Sequence, residues 1–525
     1  MISFPVDLVL PYVNSTVKSW QDNYIEFCKK NGYEERVTSL NNERFRDWGY
    51  LRYVFRGIDQ NMPFIHKVFL LLQDEDQIPT WMDTDQIEVV YHKDFIPEKF
   101  LPTYNSTTIE MFLDKIPDLA EHFIYANDDL YAMNPMTAED FYTEDGKVKI
   151  GFRQRVLHAP LMQFDVVCNN CYNMVQRKIT LRDTTPNYLT PYHEFVPMIK
   201  SDVTKVNDMF RKEIEKGITP FRAPTNHNQY IYSYYELLTH NTEQPTRTYF
   251  YINMENNVEP VRKAILQGVA HTLVLNDSEK TDVKLWAGNK DVMLAFDYRW
   301  PHVSRFEERP KVSICIPMYN SEEYIERCLS SLPKRKDVEI VIIDDASKDN
   351  SLKIVDSFMG QWPKFQILAT RRNSGVGLVR NALIERANGK YIFFLDSDDW
   401  LITDKFIEVL DTVLNDQDIL ITKYIRNDGF SGYPTILRGC FIKKDYIGNV
   451  RHDVARRCFE DVDFKARLTA AHDGKLNTEQ VDAIIYHYDL PRKGSVTWEH
   501  WKERGLTGYQ RDESTWEKWY EGKAR

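Results

Sequence analysis

Between Tyr391 and Leu395 the chain runs through five apolar or aromatic residues and then meets Asp396, Ser397, Asp398 and Asp399, three carboxylates in four positions. A short run of that kind predicts a buried strand, and a core strand is poorly ended by three acids unless a cation waits there. The Asp-X-Asp at Asp396 and Asp398 sets two hard oxygen ligands at the carboxyl end of a strand, where open parallel sheets bind their ligands. Mg²⁺ or Mn²⁺ on a diphosphate suits such a site.

The residues upstream place this strand in a sheet. Val312 to Ile316, Val338 to Ile343 and Phe365 to Ala369 read as strands, separated by a helical pattern from Glu322 to Leu332 and followed by a helix through Ala387. Alternating strands and helices predict a mostly parallel, right-handed, doubly wound α/β sheet. The second strand runs into Asp344 and Asp345, and the third is followed by Arg372-Asn373-Ser374-Gly375-Val376-Gly377.

With these motifs in order, residues 311 to 400 resemble the nucleotide-binding half of a family 2 glycosyltransferase with the type-A fold. The resemblance implies that Asp344 and Asp345 contact uracil and ribose, that Gly375 to Arg380 form a loop and helix start near the nucleotide, and that Asp396 and Asp398 hold the diphosphate and metal. Phe459-Glu460-Asp461-Val462 matches the family's Glu-Asp motif: Glu460 belongs to the substrate site and Asp461 is the implied general base. Tyr486-His487-Tyr488 and Gly494-Ser495-Val496 match its closing segment, with His487 as a metal ligand. Inverting transfer needs one carboxylate to deprotonate the acceptor and a metal to hold the leaving diphosphate.

The amino-terminal half repeats this logic. Val6 to Leu10 is a strand that runs through Pro11-Tyr12-Val13-Asn14-Ser15 into a turn, and Arg44-Phe45-Arg46-Asp47 precedes a helix predicted from Trp48 to Asp59. Arg52 and Arg56 are four apart and share one helix face; without further context such arginines are solvated surface. Lys67 to Leu72 and Ile87 to Tyr91 follow as strands, then Leu101-Pro102-Thr103, a helix to Ile116, and His122 to Ala126 ending in Asn127-Asp128-Asp129.

That ordered set, covering about residues 6 to 309, resembles the Stealth family of sugar-phosphate transferases. Tyr192-His193-Glu194-Phe195-Val196-Pro197, Phe221-Arg222, Asn226 to Tyr235, Leu275-Asn276-Asp277 and Trp300 to Glu307 resemble its later segments. Pro11-Tyr12 departs from the family's usual Thr-Trp and Ser15 from its Gly, and Gly151 to Thr190 matches no motif. The resemblance implies attack of an acceptor hydroxyl on the sugar-bearing phosphorus of a UDP-sugar, with loss of UMP. His193 is then the candidate base with Asp129 as its competitor and His158 as a rival. Arg52, Arg222 and Arg46 neutralise phosphoryl charge, Asn14 and Asn127 contact the donor, and Asp128 and Asp277 hold metal.

At 525 residues the chain is too long for one core, and the charged stretch Phe306 to Pro310 is its best boundary. The expected domains are 1–309, 310–497 and an aromatic, charged tail, 498–525, that suits a peripheral membrane contact or helix packing. The start lacks a basic segment followed by an apolar one and no run reaches transmembrane length, which predicts a cytoplasmic protein, with the inner face of the plasma membrane as a further option. A net charge of −11 argues against nucleic acid as a partner. Cys168 and Cys171 have no second pair at zinc-site spacing, so free thiols are expected. The reading is a bifunctional enzyme of surface-polysaccharide synthesis, acting on UDP-sugar donors and a glycan acceptor, with other capsule-synthesis proteins as implied partners. The alternatives are a chain with one catalytic half and one glycan-binding half, or a UDP-sugar hydrolase.

Overall fold

The strand Val6–Pro11 is buried at every position through Leu10, as a strand covered on both faces of a parallel sheet must be. The computed structural model describes residues 2–39, 45, 48–156, 163–180, 187–240, 242–255, 257–277, 280–286, 290–456 and 460–489. Arg46, His158, Phe459, the segment 494–496 and the tail 498–525 lie outside the described residues. The chain separates into two compact units, Met1–Glu308 and Arg309–Arg525.

The strands of the first unit are, in chain order, β1 (Val6–Pro11), β2 (Ile65–Leu72), β3 (Glu88–Tyr91), β4 (His122–Tyr125), β5 (Leu130–Ala132), β6 (Phe152–Val156), β7 (Asn187–Pro191), β8 (Val196–Ile199), β9 (Tyr249–Asn253) and β10 (Thr272–Asn276). The main sheet has the order β3-β2-β1-β4-β8. Its first four strands are parallel, and β8 runs antiparallel to β4. Asp7, inside β1, is 1% exposed and accepts from Lys67 N (3.2 Å), from Ala120 N (2.8 Å) and from the His66 ring (3.0 Å). A buried carboxylate is tolerated when it is so paired, and here it ties the entries of β2 and β4 to β1.

Helix Leu51–Asn61 packs close to β5: a Cβ on Gly57 would stand 2.9 Å from Ala132 O and 3.2 Å from the Trp300 ring. The expectation of a solvated arginine face on this helix is overturned. Arg56 is 8% exposed and binds Glu307 through Nε (2.8 Å) and Nη2 (3.0 Å), with Nη1 reaching Asp297 (3.2 Å) and Trp300 O (3.0 Å). A charge enters the core here because a bidentate partner arrives from 251 residues away. The helix predicted to reach Ile116 ends at Glu110; its β-branched run Thr107, Thr108 and Ile109 is a weak helix former.

The second unit contains β11 (Val312–Met318), β12 (Val338–Asp344), β13 (Phe365–Ala369), β14 (Tyr391–Phe394), β15 (Trp400–Leu401), β16 (Ile419–Arg426), β17 (Ser431–Gly432), β18 (Cys440–Lys443) and β19 (Thr478–Tyr488). They form one sheet ordered β13-β12-β11-β14-β18-β16-β19-β15, with β17 beside β16. The first four are parallel; β14, β18 and β16 then alternate antiparallel. Ile314 and Ile316 enter one core while Cys315 enters another, and Ile340 and Ile342 separate from Val341 in the same way. Both faces are therefore covered, as the near-continuous apolar strands require.

Candidate active sites

In the first unit, β4 delivers Asn127, Asp128 and Asp129 to the carboxyl end of the sheet, and the chain then turns into β5. β10 runs antiparallel to β5, and Leu275 N donates to Asp129 O (3.1 Å), which brings Asn276 and Asp277 alongside this acidic turn. Trp48 Nε1 donates to Asp277 Oδ2 (3.1 Å). Asp128, Asp129 and Asp277 do not form a group of three ligand atoms at shared-ion distance among the described residues.

His193, just before β8, is brought to this turn from 64 residues away. Its Nε2 lies 3.2 Å from Asp129 Oδ2 and its Nδ1 lies 3.4 Å from the Tyr230 hydroxyl. Burial disfavours the imidazolium, but the charge and hydrogen bond of Asp129 and the charge of Glu110 outweigh it, so His193 titrates above the usual imidazole range. The other oxygen of Asp129, Oδ1, is buried without a hydrogen bond.

Glu110 is a component that the sequence reading missed. It is 7% exposed, accepts from Gln229 N (2.8 Å), and receives the Tyr125 hydroxyl at 3.4 Å. Burial pushes its carboxyl up to about 7, against the pull of the Gln229 amide, Arg222, Tyr125 and His193. A lone Glu at a short helix end carries no signal of burial, so only the fold reveals it.

Arg222 is exposed, donates to Ser106 Oγ (2.7 Å), and is close enough to act on Glu110 electrostatically. Arg52, in the first turn of the helix Leu51–Asn61, has its guanidinium 5.4 Å from the Trp81 ring centroid and its Nε buried without a hydrogen bond, and it acts on Asp297 and Glu307 electrostatically. Asn14 is committed locally: its Oδ1 accepts from Thr16 N (2.9 Å) and Thr16 Oγ1 (2.6 Å). Cys168 and Cys171 are buried, in no disulfide, and approach the Asn228 side chain.

The second unit gathers its carboxylates around two arginines. Arg380 Nη2 donates to Asp396 Oδ1 (2.8 Å) and Nη1 to Glu460 Oε1, while Arg438 Nε pairs with Asp396 Oδ2 (3.0 Å) and its Nη2 reaches Asp461 Oδ2 (3.7 Å). Burial raises Asp396, but Arg438 and Arg380 more than offset it and leave the carboxyl below its usual range. Arg438, in the loop before β18, carries no motif that marks it. Arg380 is 4% exposed and braces Asp396 and Glu460 from behind.

Asp396, Asp398 and Asp399 offer ligand oxygens that all lie within 4.8 Å of one another. Asp399 is held by the Tyr486 hydroxyl and by Asp489 N (2.8 Å), and burial together with Asp398 and Asp396 lifts its carboxyl well above the usual range. Such crowding of acids fits a hard divalent cation such as Mg²⁺ or Mn²⁺. His487 stacks on Trp400 at 3.6 Å, and its Nδ1 is buried without a hydrogen bond. Burial, helped by Arg327, keeps this ring below the usual imidazole range despite Asp489, so a neutral nitrogen is available.

Asp344 and Asp345 accept hydrogen bonds from the loops beside them. Asp344 accepts from Ser347 N (3.0 Å) and the Ser347 hydroxyl, and Asp345 from Ser374 N (2.7 Å), Gly375 N (2.8 Å) and Thr370 Oγ1 (3.0 Å). Both are buried, so they shape the two loops over the sheet end. Gly375 sits at φ 87°, a left-handed backbone that opens the helix Val376–Arg386 and favours glycine.

The second unit is thus an α/β sheet covered on both faces, with carboxylates where β14 ends. Residues 44–150 match Stealth protein CR2, conserved region 2, and residues 313–459 match glycosyl transferase family 2. The chain therefore joins a Stealth region to a family 2 glycosyl transferase domain, and it is a transferase. The Stealth match includes Arg52 and Asn127 to Asp129, while His193, Arg222 and Asp277 lie beyond it.

Among curated relatives, the exopolysaccharide phosphotransferase cps2G of Lactiplantibacillus plantarum is 28% identical over 338 residues, 58% of this chain and 97% of that protein. The capsular polysaccharide phosphotransferase of Neisseria meningitidis serogroup B is 31% identical over 225 residues, 40% of this chain and 58% of its own length. A crystal structure of S. aureus TarS 1-349 in complex with UDP-GlcNAc shares 22% identity at TM-score 0.31, over 35% of this chain and 60% of that one.

Proposed function

We propose that this chain is a bifunctional enzyme of bacterial capsule or surface-polysaccharide synthesis. Residues 1–309 transfer a hexose-1-phosphate, N-acetylglucosamine-1-phosphate being the best match to the family resemblance, from a UDP-sugar to a glycan hydroxyl and release UMP. Residues 310–497 transfer a hexose from a UDP-sugar with inversion and release UDP. The chain works in the cytoplasm, at the face of the membrane where the polymer grows.

The observation that carries the first activity is the His193–Asp129 pair. A carboxylate can only accept, so Asp129 takes the Nε2–H and leaves the lone pair on Nδ1. Nδ1, which the Tyr230 hydroxyl faces at 3.4 Å, removes the acceptor proton once the acceptor hydroxyl takes that place, and Asp129 stabilises the imidazolium that results. The acceptor oxygen then bonds to the sugar-bearing phosphorus, the bridging P–O bond breaks, and the electron pair leaves with UMP. Arg222 and Arg52 are the cations assigned to the phosphoryl oxygens. Asp128 and Asp277 remain the candidates for a metal in this unit.

In the second unit Asp461 takes the acceptor proton while the acceptor oxygen bonds to the sugar carbon from the opposite face, and the bond from that carbon to the diphosphate breaks with its electron pair leaving on UDP. Asp396, Asp398, Asp399 and His487 are the residues that would hold Mg²⁺ or Mn²⁺, which when bound neutralises the leaving diphosphate. Arg380 fixes Asp396 and Glu460, and Arg438 sits between Asp396 and the base. The test is the nucleotide released by the full chain with Mg²⁺, a panel of UDP-sugars and a capsule oligosaccharide. UMP and UDP should both appear, with His193→Ala losing UMP alone and Asp461→Asn losing UDP alone. UDP as the single nucleotide product over the panel would remove the first activity from the proposal.

A further inference from the structure

Arg327, in helix Ile325–Ser330, stands beside the acidic turn of the second unit. Its Nη2 donates to Asp398 O (2.8 Å) and to Asp489 Oδ2 (2.7 Å), and its guanidinium carbon lies 3.8 Å from the Trp400 ring centroid. One planar group thus donates hydrogen bonds and stacks on an aromatic face. A guanidinium can do both at once, and an ammonium cannot.

Each of these three contacts leads to a candidate cation ligand. Asp398 is itself one of the clustered acids, and the bond to its carbonyl fixes the backbone that carries its carboxylate. Asp489 N donates to Asp399 Oδ1 (2.8 Å), so the residue that Arg327 grips by its side chain holds Asp399 through its main chain. The other oxygen of Asp489 accepts from Asn427 Nδ2, which fixes that carboxylate in turn. Trp400 faces His487 across the β15–β19 pair, and the two rings stack at 3.6 Å with 11° between their planes. Trp400 is therefore flanked by Arg327 and by His487.

We infer that Arg327 is a positioning residue for the divalent-cation site of the second unit, which ties the acidic turn, β15 and the end of β19 into one arrangement and so presents Asp398, Asp399 and His487 to the ion together. The inference rests on the reading that these residues hold Mg²⁺ or Mn²⁺. Groups that orient metal ligands from behind govern metal affinity by about 10- to 100-fold. The sign of the effect separates this role from plain electrostatics. Removing a positive charge beside a cation site should by Coulomb's law tighten the ion, whereas losing the ligand arrangement loosens it.

The experiment titrates the full chain with Mn²⁺ alone and reads free Mn²⁺ by electron paramagnetic resonance. Wild type should show a Mn²⁺ site that Asp398→Asn removes. Arg327→Ala should bind Mn²⁺ at that site about 10- to 100-fold more weakly. Arg327→Lys keeps the charge but cannot stack and donate to both partners at once, so it should recover only part of the loss. The Arg327 side chain is 44% exposed, so both variants should fold, which circular dichroism checks. Mn²⁺ bound by Arg327→Ala as tightly as by wild type, or more tightly, would overturn the positioning role and leave the cation site standing, and full recovery in Arg327→Lys would overturn that role too. A wild type without any Mn²⁺ site that depends on Asp398 would overturn the cation site and this role with it.

Discussion

The two units place their first four parallel strands alike, β3-β2-β1-β4 in one and β13-β12-β11-β14 in the other. In both, Pro-X-X-Asn-Ser closes the first strand, at Pro11 to Ser15 and Pro317 to Ser321, and acids follow the fourth. The difference lies in what meets those acids. Asp129 meets an imidazole, His193, while Asp396 meets two guanidinium groups, Arg380 and Arg438. A shared sheet supplies a position for carboxylates, and a partner from a distant segment decides their chemistry.

Several substitutions press on that contrast. The largest effect is expected at the proposed bases. His193→Ala should lower UMP release, and Asp461→Asn UDP release, by about 100- to 10,000-fold, each read by chromatography of the nucleotides with the other product unchanged. Parallel loss of both products in either variant would break the two-site account.

Next comes Arg56→Ala. It leaves Glu307 buried and unpaired, and a cost of about 3–5 kcal/mol is expected in urea unfolding of the first unit. Arg52→Ala, on the same helix, should leave stability near wild type and weaken UMP release. The reverse pattern would exchange the roles of the two arginines.

Glu110 gives the first unit a pH signature of its own. Its folded carboxyl, at about 7, holds its proton more tightly than in the unfolded chain. Below the unfolded value both states are protonated and there is no cost. As pH rises from about 4.3 to 7 stability is lost, and above 7 the loss is complete, on the order of 3 kcal/mol. Glu110→Gln should flatten this decline in unfolding measured between pH 5 and pH 8; an unchanged slope would contradict the assignment.

The smallest effect is at Arg438. Arg438→Lys keeps a charge but loses the fork that spans Asp396 and Asp461, and about a tenfold fall in UDP release is expected with UMP unaffected. A fall in both products would mean that the arginine acts on more than its own site.

Strand ends that stop in acids were legible because few other roles place several carboxylates after an apolar run, so β4 and β14 could be read with their acids. The partners were harder to read. Arg438 and Glu110 stand in segments without a motif, and a charged residue on a helix reads as solvated until the fold buries it. Arg56 shows the same failure, since its partner Glu307 is 251 residues away. Asp344 and Asp345 were legible as acids at a strand end, yet their hydrogen bonds from Ser347, Ser374 and Gly375 depend on loop conformations that spacing does not reveal. In the first unit Asp128, Asp129 and Asp277 share a region without forming a group of three at shared-ion distance among the described residues, a detail that sequence order does not carry.

The most direct measurement follows the phosphorus nearest the sugar. The full chain is given a UDP-sugar labelled in the β-phosphate, with Mg²⁺ and a capsule oligosaccharide, and the label is traced to polymer or nucleotide. The account predicts label in polymer through the first unit, abolished in His193→Ala and retained in Asp461→Asn, alongside labelled UDP from the second unit. Label found in UDP alone, with every sugar donor that is consumed, would contradict it.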